Sequence, residues 1–254
     1  MNKTIMVTGA TAGFGRATAE IFAKHDYNVI ITGRRKERLD ELEKDLRKAG
    51  KGKILSMNFD VRSLKEVNEA VSKLPSEWKD IDILVNNAGL AVGLEHIDKG
   101  NTDDWERMID TNVKGLLYMT RAVAPLMAAR KSGHIFNIGS IAGKDAYENG
   151  NVYCATKAAV ASLSKSMRID LLKDNIKVTH IAPGMAETEF SLVRFKGDAD
   201  RADNVYKGID ALTAEDIASI IFWCATLPWH VCINDLEVTP AQQASVVHSY
   251  RRQE

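Results

Sequence analysis

Short apolar runs rich in β-branched residues alternate with longer amphipathic segments along most of the 254-residue chain. Six of these runs are predicted strands, at residues 4–7, 28–31, 53–58, 81–85, 133–138 and 177–181. The segment after the second run carries Leu39, Leu42 and Leu46 at helical spacing, with Glu and Lys residues between them. Strands separated by helix-length segments require right-handed crossovers and a parallel sheet with helices on both faces. We therefore predict a single doubly wound α/β domain over residues 1–254.

The balance of charge limits the classes of partner. The 34 basic and 34 acidic residues leave no net charge that would attract nucleic acid or an anionic membrane. No apolar run approaches the ~20 residues of a membrane span, and the first apolar run is too short for a signal peptide. Cys154, Cys224 and Cys232 lack paired metal-ligand spacing, so we expect free thiols and no metal site. These features favour a cytoplasmic protein that binds a small molecule.

The first predicted strand runs directly into the glycine-rich sequence TGATAGFG at residues 8–15, and a helix is predicted to follow. Gly9, Gly13 and Gly15 would permit a tight turn, a close approach of the backbone to a pyrophosphate, and packing of the helix on the strand. The start of the helix would favour the phosphate charge. An ordinary glycine turn is the alternative, but the position between strand and helix favours dinucleotide binding. Further candidate contacts in this turn are Thr8, Thr11 and Phe14.

Two arginines stand where dinucleotide-binding folds usually carry an acid. That acid, about 20 residues after the glycines, holds the ribose 2′-hydroxyl of NAD. Here the second strand ends in TGRR, whose last two residues are Arg34 and Arg35. Two guanidiniums can grip a 2′-phosphate through forked, charge-assisted hydrogen bonds, which favours NADP(H) as the cofactor. The alternative is a solvated helix start, because Lys36 and Arg38 continue the basic run.

Polar residues follow the third and fourth predicted strands, in the sequences Asp60-Val61 and NNAG at residues 86–89. Ligands in open α/β sheets bind beyond the carboxyl ends of the strands, where both sequences should lie. Asp60 could accept a hydrogen bond from an adenine amino group, with Val61 beside it. Asn87 could bond a ribose or fix the strand ends. A purely structural role for the NNAG turn is an equal alternative.

Ser140, Tyr153 and Lys157 form a candidate catalytic group. Ser140 follows the fifth predicted strand, and the other two lie four residues apart in NVYCATK. In a helix over 152–173, Tyr153 and Lys157 would project from one face on successive turns. A tyrosine pKa near ~10 is too high for a base at neutral pH, but a nearby ammonium favours the phenolate. Ser140 could hold the same substrate oxygen, and the amide of Asn112 could anchor a water path to the lysine.

These features together resemble the short-chain dehydrogenase/reductase family, and the resemblance covers nearly the whole chain. It is carried by TGATAGFG, the NNAG turn, NVKG, Ser140, YCATK and the Pro183-Gly184 step. The resemblance implies a single-domain Rossmann-type fold that transfers hydride between NADP(H) and a carbonyl/alcohol pair. The catalytic set that it implies is Asn112, Ser140, Tyr153 and Lys157. The matching cofactor positions are Gly9, Gly13, Gly15, Asp60, Asn87, Tyr153, Lys157, Pro183 and Gly184, with Lys157 bonding the nicotinamide ribose.

A narrower resemblance is to NADP-dependent 3-hydroxy acid dehydrogenases, which handle serine and malonic semialdehyde, and to the related sulfoacetaldehyde reductases. It is carried by ITGRRKERL, WERMIDTNVKGLLYMTRAV, EFSLVRFKGD and LPWHVCINDLEVTP. It implies a small aldehyde or alcohol substrate with an acidic head group, and a homotetramer. Charged and bulky residues at 144–148 and 185–187 depart from this branch, so reduction of sulfoacetaldehyde to isethionate with NADPH stays open. The alternative of another class is a non-catalytic NADP-sensing or interaction protein.

The sequence GMAETEFSLVRFKGD, at residues 184–198, is neither a clear strand nor a clear helix. It should leave the sixth strand beside the nicotinamide, where loops commonly close over substrate, so we assign 184–210 as a substrate loop. Arg194 could grip a carboxylate or a sulfonate. The alternative is an ion pair that orders the loop, with Glu187, Glu189 or Asp198. Further candidates for the substrate pocket, with simple packing as the alternative for the first two, are Tyr147, Asn151, Ser140 and Tyr153.

Overall fold

Seven parallel strands form one sheet within residues 2–253, which the computed structural model describes. They are β1 (Thr4–Val7), β2 (Asn28–Gly33), β3 (Ile54–Asn58), β4 (Ile81–Asn86), β5 (Gly133–Ile138), β6 (Ile176–Pro183) and β7 (Asp235–Val238). Their order across the sheet is β3-β2-β1-β4-β5-β6-β7. The order reverses between β1 and β4, which opens a crevice at the carboxyl ends of the strands. The predicted doubly wound parallel sheet is confirmed.

Helices cover both faces of the sheet. Within the described residues they are α1 (Gly13–Lys24), α2 (Lys36–Ala49), α3 (Leu64–Ser72), α4 (Thr102–Ile109), α5 (Leu116–Ala129), α6 (Asn151–Asp170), α7 (Glu189–Arg194), α8 (Ala199–Asn204) and α9 (Ala214–Thr226). None of these helices is both long and apolar enough to cross a membrane. Ile5 belongs to the core on the α1, α2 and α9 face, and Met6 to the core on the α3, α5 and α6 face. Successive strand residues point to opposite buried faces, which explains the continuous apolar runs.

Among the seven strands, the edge strand β7 is the one that the sequence does not predict. Its four residues alternate between exposed and half-buried, and Asp235 and Glu237 both form ion pairs with Lys144. The strand therefore carries acidic side chains where a central strand would be apolar. The strands β2, β4 and β6 also extend beyond their predicted ends toward the crevice.

A π-helical turn at Asp110–Gly115 separates α4 from α5. Such a turn holds one residue more than the α-helical repeat and occurs frequently at functional sites. Here it carries Asn112, which is 2% exposed. It ends at Gly115, where an added Cβ would lie 2.8 Å from a methyl group of Val61. The turn therefore packs closely against the strand ends beside the crevice.

Two short helices, α7 and α8, follow β6 in the segment for which the sequence predicts neither strand nor helix. Thr188 and Asp198 begin these helices by accepting hydrogen bonds from backbone N–H groups of the first turn. Capping by single polar side chains stabilises helices that are too short to show an apolar period. The C-terminal segment folds back toward this region, where the backbone N–H of Arg252 donates to the carbonyl of Gly208.

Candidate active site

A cleft of about 550 Å³ lies at the carboxyl ends of the strands and extends under α7. It is lined by most of the residues that the sequence nominates, from both the cofactor and the substrate sets. These are Gly9, Thr11, Gly13, Phe14, Arg34, Arg35, Asp60, Val61, Asn87, Ser140, Tyr147, Tyr153, Lys157, Pro183, Gly184 and Arg194. The nominated residues that lie behind or beside its wall are Thr8, Gly15, Asn112 and Asn151.

The glycine-rich turn after β1 depends on the conformational freedom of glycine. Gly9 and Gly13 have φ values of +64° and +51°, in the left-handed region that side chains disfavour. A Cβ on Gly15 would collide with the carbonyl of Gly9 and with the amide of Asn87. The turn therefore presents bare backbone to the cleft, with α1 beginning directly behind it.

Thr8 and Asn87 fasten this turn to the end of β4. The Thr8 hydroxyl donates to the carbonyl of Val85 at 3.1 Å and accepts from the N–H of Asn87 at 3.0 Å. The Asn87 amide donates to the carbonyls of Thr8 and Gly9, at 2.8 and 3.2 Å. Thr8 thus supports the turn from behind, and Asn87 fixes the end of β4 to the turn, which is the structural one of its two predicted roles.

Arg35 spans from the glycine-rich turn to α7. Its guanidinium donates to the Thr11 hydroxyl at 3.1 and 2.8 Å and to the Glu189 carboxylate at 3.0 Å. Arg38 donates to both oxygens of the same carboxylate, at 2.6 and 2.9 Å. These side chains are about half exposed, so the basic start of α2 faces the mouth of the cleft.

Asp60 contacts arginines at the end of β3. Arg62 donates to both of its oxygens, and Arg34 approaches one of them to 3.8 Å. Burial by itself would raise the pKa of Asp60, but the hydrogen bonds from Arg62 outweigh burial and hold the pKa below its ordinary value. Asp60 is therefore an ionised acceptor at neutral pH. Its position at the cleft wall agrees with the adenine-side role predicted for it.

One end and the middle of the cleft match a dinucleotide that carries a 2′-phosphate. One end offers the guanidiniums of Arg34 and Arg35, and the middle offers the backbone of the glycine-rich turn. A Cβ on Gly13 would touch the side chain of Thr188 at 3.4 Å, so the start of α7 lies directly over this turn. Guanidiniums suit a phosphate, and a glycine backbone suits a pyrophosphate. The residues present therefore fit NADP(H).

Ser140, Tyr153 and Lys157 meet at the other end of the cleft. Ser140 lies two residues after the end of β5 and caps a short 3₁₀ turn, while Tyr153 and Lys157 lie one turn apart in the first half of α6. The Lys157 ammonium nitrogen lies 5.9 Å from the centre of the Tyr153 ring and donates to the carbonyl of Ile138 at 2.9 Å. The predicted helix over 152–173 is found as Asn151–Asp170, so the predicted shared face is present.

The charge that acts on Tyr153 differs from the prediction. Burial raises the pKa of Tyr153, and the Arg194 guanidinium and the Ser140 hydroxyl oppose that rise. The guanidinium carbon of Arg194 lies 5.0 Å from the ring centre, closer than the Lys157 nitrogen. Burial lowers the pKa of Lys157 itself to about 8. Tyr153 is thus a neutral phenol at neutral pH, and the cation that favours its phenolate is Arg194.

Asn112 holds the loop after β4 in place. Its amide oxygen accepts from the N–H of Leu90 at 2.8 Å, and its amide nitrogen donates to the Leu90 carbonyl at 2.8 Å and to the Thr156 hydroxyl at 3.0 Å. Both amide hydrogens are therefore committed to protein atoms. Asn112 therefore braces the loop against α6, and the water path from its amide to the lysine stays a prediction.

Arg194 projects from the end of α7 into the cleft. It donates to the Tyr147 hydroxyl at 2.9 Å, and its guanidinium carbon lies 5.0 Å from the ring centres of Tyr153 and Phe190. Among residues 2–253 no carboxylate lies within ion-pair distance of it, and Glu189 is engaged by Arg35 and Arg38. The alternative of an ion pair within the loop is therefore not what the structure contains.

Tyr147 and Asn151 have different surroundings. Tyr147 lines the cleft beside Arg194, and burial raises its pKa to about 12. The Asn151 amide donates to the carbonyl of Glu95 at 2.9 Å, and the residue borders a smaller cavity on the other side of Tyr147, Tyr153 and Arg194, which line both spaces. The structure therefore brings Tyr147 to the predicted pocket and does not bring Asn151 there.

Comparison with known proteins agrees with this geometry. A family model described as short chain dehydrogenase matches residues 3–198. The chain belongs to the short-chain dehydrogenase family. Within the family it is 51% identical, over 94% of its length and 96% of the other's, to the NADP-dependent 3-hydroxy acid dehydrogenase YdfG of Salmonella typhi. It is 45% identical to the serine 3-dehydrogenase of Rhizobium radiobacter, covering 96% of each chain.

Solved structures of short-chain dehydrogenases show the same likeness. The closed form of a serine dehydrogenase complexed with NADP+ matches with a TM-score of 0.92 and 49% identity, covering 98% of this chain and 100% of that one. Serine dehydrogenase from Escherichia coli matches with a TM-score of 0.82 and 46% identity, covering 95% and 99%. The prediction of this family and of its hydroxy acid branch is confirmed.

Several residues of this short-chain dehydrogenase that line the cleft carry no signal in the sequence. Gln243, which is 5% exposed, accepts from the N–H of Met185 at 2.8 Å, just after the Pro-Gly step. The Tyr206 hydroxyl donates to the carbonyl of Ala186 at 2.8 Å. Gln243 braces the segment after β6 from the C-terminal part of the chain, and Tyr206 braces it from within residues 184–210. Only the fold brings them there, and no local motif could have found them.

Proposed function

We propose that this chain is an NADP-dependent dehydrogenase that interconverts a small 3-hydroxy acid, such as serine, and the corresponding 3-oxo acid or semialdehyde. The observation that carries the proposal is Arg194, a half-buried guanidinium without a carboxylate partner among the described residues, held over the ring of Tyr153. A cation in this position attracts an acidic head group and offers nothing to a neutral one. The relatives named as 3-hydroxy acid and serine dehydrogenases support the same substrate class.

The cofactor proposal rests on the opposite end of the cleft. Arg34 and Arg35 would hold the 2′-phosphate of NADP(H), with Thr11, Gly13 and Phe14 against its pyrophosphate and ribose. When bound, NADP+ would accept the hydride from the alcohol carbon, and NADPH would supply it to the carbonyl carbon. The Lys157 amine would bond the ribose hydroxyls, since it lies at the buried end of the same cleft. The NADP-dependent relative and the serine dehydrogenase solved with NADP+ support this assignment.

The proton is handled by Tyr153. In the direction of reduction the neutral phenol donates its proton to the substrate oxygen, because its raised pKa keeps it protonated at neutral pH. Ser140 holds that oxygen from the other side, and Arg194 holds the acidic head group so that the reacting carbon is fixed between them. In the direction of oxidation the same phenol, once ionised, removes the proton from the alcohol. Asn112 keeps the floor of the site rigid through Leu90 and Thr156.

The proposal also covers the substrate loop, the assembly and the location of the enzyme. Residues 184–210 form the substrate loop, and Tyr147 supports Arg194 through its hydroxyl. A homotetramer in the cytoplasm is the assembly and location that we propose for the enzyme. The relatives give no support to the sulfoacetaldehyde reductase alternative, and a sulfonate is kept as one arm of the test.

The test is NADP+ reduction with a matched set of alcohols: 3-hydroxybutyrate, L-serine, the amide of 3-hydroxybutyrate and isethionate. We expect the two carboxylates to have kcat/KM values at least about 10-fold above that of the amide, because a charge-assisted pair contributes about 1.5–3 kcal/mol. Equal turnover of the amide would reject the acid-head proposal. Preference for isethionate would move the assignment to the sulfonate branch, and no turnover of any alcohol or of the matching aldehydes and ketones would favour a non-catalytic protein.

A further inference from the structure

The helix that carries Arg194 is fastened at its other end to the proposed cofactor site. Glu189, the first residue of α7, accepts hydrogen bonds from Arg35 at 3.0 Å and from Arg38 at 2.6 and 2.9 Å. We propose that Glu189 is a positioning residue that fastens α7 through its hydrogen bonds to Arg35 and Arg38. Because it occupies these arginines, it competes for them with the 2′-phosphate of the cofactor. The inference rests on the proposed role of Arg34 and Arg35 in binding that phosphate.

The contacts of Arg35 show why the two anions would compete. Two of its nitrogens are occupied by the Thr11 hydroxyl, in the glycine-rich turn, and its remaining terminal nitrogen by Glu189. A phosphate that approaches Arg35 therefore meets a carboxylate already bonded to it. Burial would raise the pKa of Glu189, but the bonds from Arg35 and Arg38 outweigh burial and lower it, so the carboxylate is ionised at neutral pH.

The charges of the cluster point in the same direction. Arg34, Arg35 and Arg38 bring three guanidiniums to the start of α2, and Glu189 is the carboxylate bonded to two of them. A carboxylate beside a phosphate site reduces the attraction of the site for the phosphate. All of these side chains are about half exposed, so solvent limits the effect to a few-fold in affinity.

The position of Glu189 in α7 connects this competition to the substrate end. Beyond Arg194, the helix is held by the N–H of Gly93, which donates to the Arg194 carbonyl at 3.1 Å, and by an ion pair of Lys196 with buried Asp104 at 2.7 Å. Removing the Glu189 contact would release one end of α7 and leave the other fastened. Arg194 would then be held less firmly over Tyr153, which weakens substrate binding.

The test measures the two sites separately in the full-length protein with the substitution Glu189→Gln. The probe for the phosphate site is adenosine 2′,5′-bisphosphate, with 5′-AMP as the analogue that lacks the 2′-phosphate, both titrated by calorimetry. We expect the Kd of the bisphosphate to fall about two- to five-fold and that of 5′-AMP to stay unchanged. The KM of the 3-hydroxy acid should rise by a similar factor. Competition requires the fall in the bisphosphate Kd, and the fastening of α7 through Glu189 requires the rise in KM.

Matched variants separate competition from a general effect of charge or stability. Glu43→Gln removes a carboxylate that forms an ion pair with Arg47 on α2. It should leave the two measurements unchanged. Arg38→Gln should raise the KM as Glu189→Gln does, without strengthening bisphosphate binding. Glu189→Asp, which keeps the charge, should recover bisphosphate affinity near that of the wild type.

A rise or no change in the bisphosphate Kd of Glu189→Gln would overturn the inference, because a structural role alone can only weaken binding or leave it unaltered. If the wild-type protein did not distinguish the bisphosphate from 5′-AMP, the proposed phosphate role of the arginines would fall, and the competition with it. These outcomes are distinct, since the first requires phosphate recognition by the wild type. Neither binding measurement depends on the identity of the hydroxy acid.

Discussion

The guanidinium carbon of Arg194 lies 5.0 Å from the centre of the Tyr153 ring. One side chain is the proposed anchor of the acidic head group and the other the proposed proton donor, so substrate binding and proton transfer share one electrostatic environment. A bound carboxylate would neutralise the cation that favours the phenolate. Occupation of the site by its acidic substrate therefore favours the protonated tyrosine that reduction needs.

Replacing Arg194 by Gln should weaken the enzyme selectively for charged substrates. We expect kcat/KM for a 3-hydroxy acid to fall about 10- to 100-fold, because the carboxylate loses a charge-assisted pair. The rate of reduction of an uncharged carbonyl compound at neutral pH should not change, because Tyr153 is protonated there in both proteins, and the Kd of NADPH should not change either. Steady-state kinetics with both substrates and a fluorescence titration of NADPH make the comparison. Arg121→Gln, at an exposed position of α5, is the matched control, and an equal loss for both substrates would contradict the anchoring role.

Replacing Tyr153 by Phe should remove turnover and retain the cofactor. General acid–base catalysis contributes about 10²- to 10⁴-fold, and the phenol is the proton donor that we propose. The Kd of NADPH should stay within about two-fold of the wild type, since the ring and its packing on Phe190 are kept. The rate is measured from the absorbance of the reduced nicotinamide. A variant that retained most of its activity would remove Tyr153 from the mechanism.

The pH dependence should differ between the two directions of the reaction. The raised pKa of Tyr153 keeps the phenol protonated through neutral and mildly alkaline pH, so kcat/KM for reduction should stay level there and fall only as pH rises through that pKa. Oxidation needs the ionised form and should become faster over the same rise. In Arg194→Gln the opposing cation is absent, so the alkaline limb should move to higher pH for an uncharged carbonyl. A shift to lower pH would contradict the electrostatic role of Arg194.

Replacing Arg34 and Arg35 by Gln should change the choice of cofactor. The KM of NADPH should rise about 10- to 100-fold, because the 2′-phosphate loses its charged donors, while the KM of NADH should change little. Initial rates with each cofactor at saturating substrate measure the ratio. Equal increases for the two cofactors would show that these arginines act by a route other than phosphate recognition.

Replacing Lys157 by Met should abolish activity and stabilise the protein at neutral pH. Burial lowers the pKa of Lys157 from 10.5 to about 8, so the unfolded chain binds more protons between these values. The cost of the buried charge is on the order of 3 kcal/mol below pH 8 and disappears as pH rises toward 10.5. After the loss of the bond to Ile138, we expect a net gain of roughly 1–2 kcal/mol at pH 7.

Urea unfolding of the cofactor-free protein tests this expectation at several pH values from 7 to about 10. The wild type should gain stability relative to Lys157→Met as pH rises through that range, because its buried amine loses its charge. Lys165→Met, at an exposed position of the same helix, should show no such trend. A constant difference between wild type and Lys157→Met at all pH values would argue against the lowered pKa.

The sequence predicts the sheet and the glycine-rich end of the cleft because each depends on residues that are close together in the chain. Buried parallel strands are apolar throughout, and Gly9 and Gly13 adopt backbone conformations that other residues disfavour. The edge strand β7 is not predicted because half of its residues face solvent. Helix α7 is not predicted because six residues are too few to show an apolar period. The helix begins at the N-cap residue Thr188.

Roles that depend on distant contacts could not be read from the sequence. Nothing local shows that Glu189 reaches Arg35, that Gln243 braces Met185, or that Arg194 rather than Lys157 opposes burial at Tyr153. The position of Arg194 after the Pro-Gly step predicts its approach to the substrate end of the cleft. It does not predict whether a nearby acid forms an ion pair with Arg194, because that depends on which acids the arginines at the start of α2 bind.

The π-helical turn at Asp110–Gly115 limits the insertions and deletions that this part of the chain can accept. Deleting one residue would allow α4 and α5 to join as a regular helix, but it would rotate one of them by about 100° relative to the other. Asn112 must face Leu90 while Leu116 and Met119 of α5 face the core, and a regular helix cannot satisfy both. We therefore expect insertions and deletions to be tolerated in the surface loops of this protein. In the π-helical turn at Asp110–Gly115 they should abolish activity.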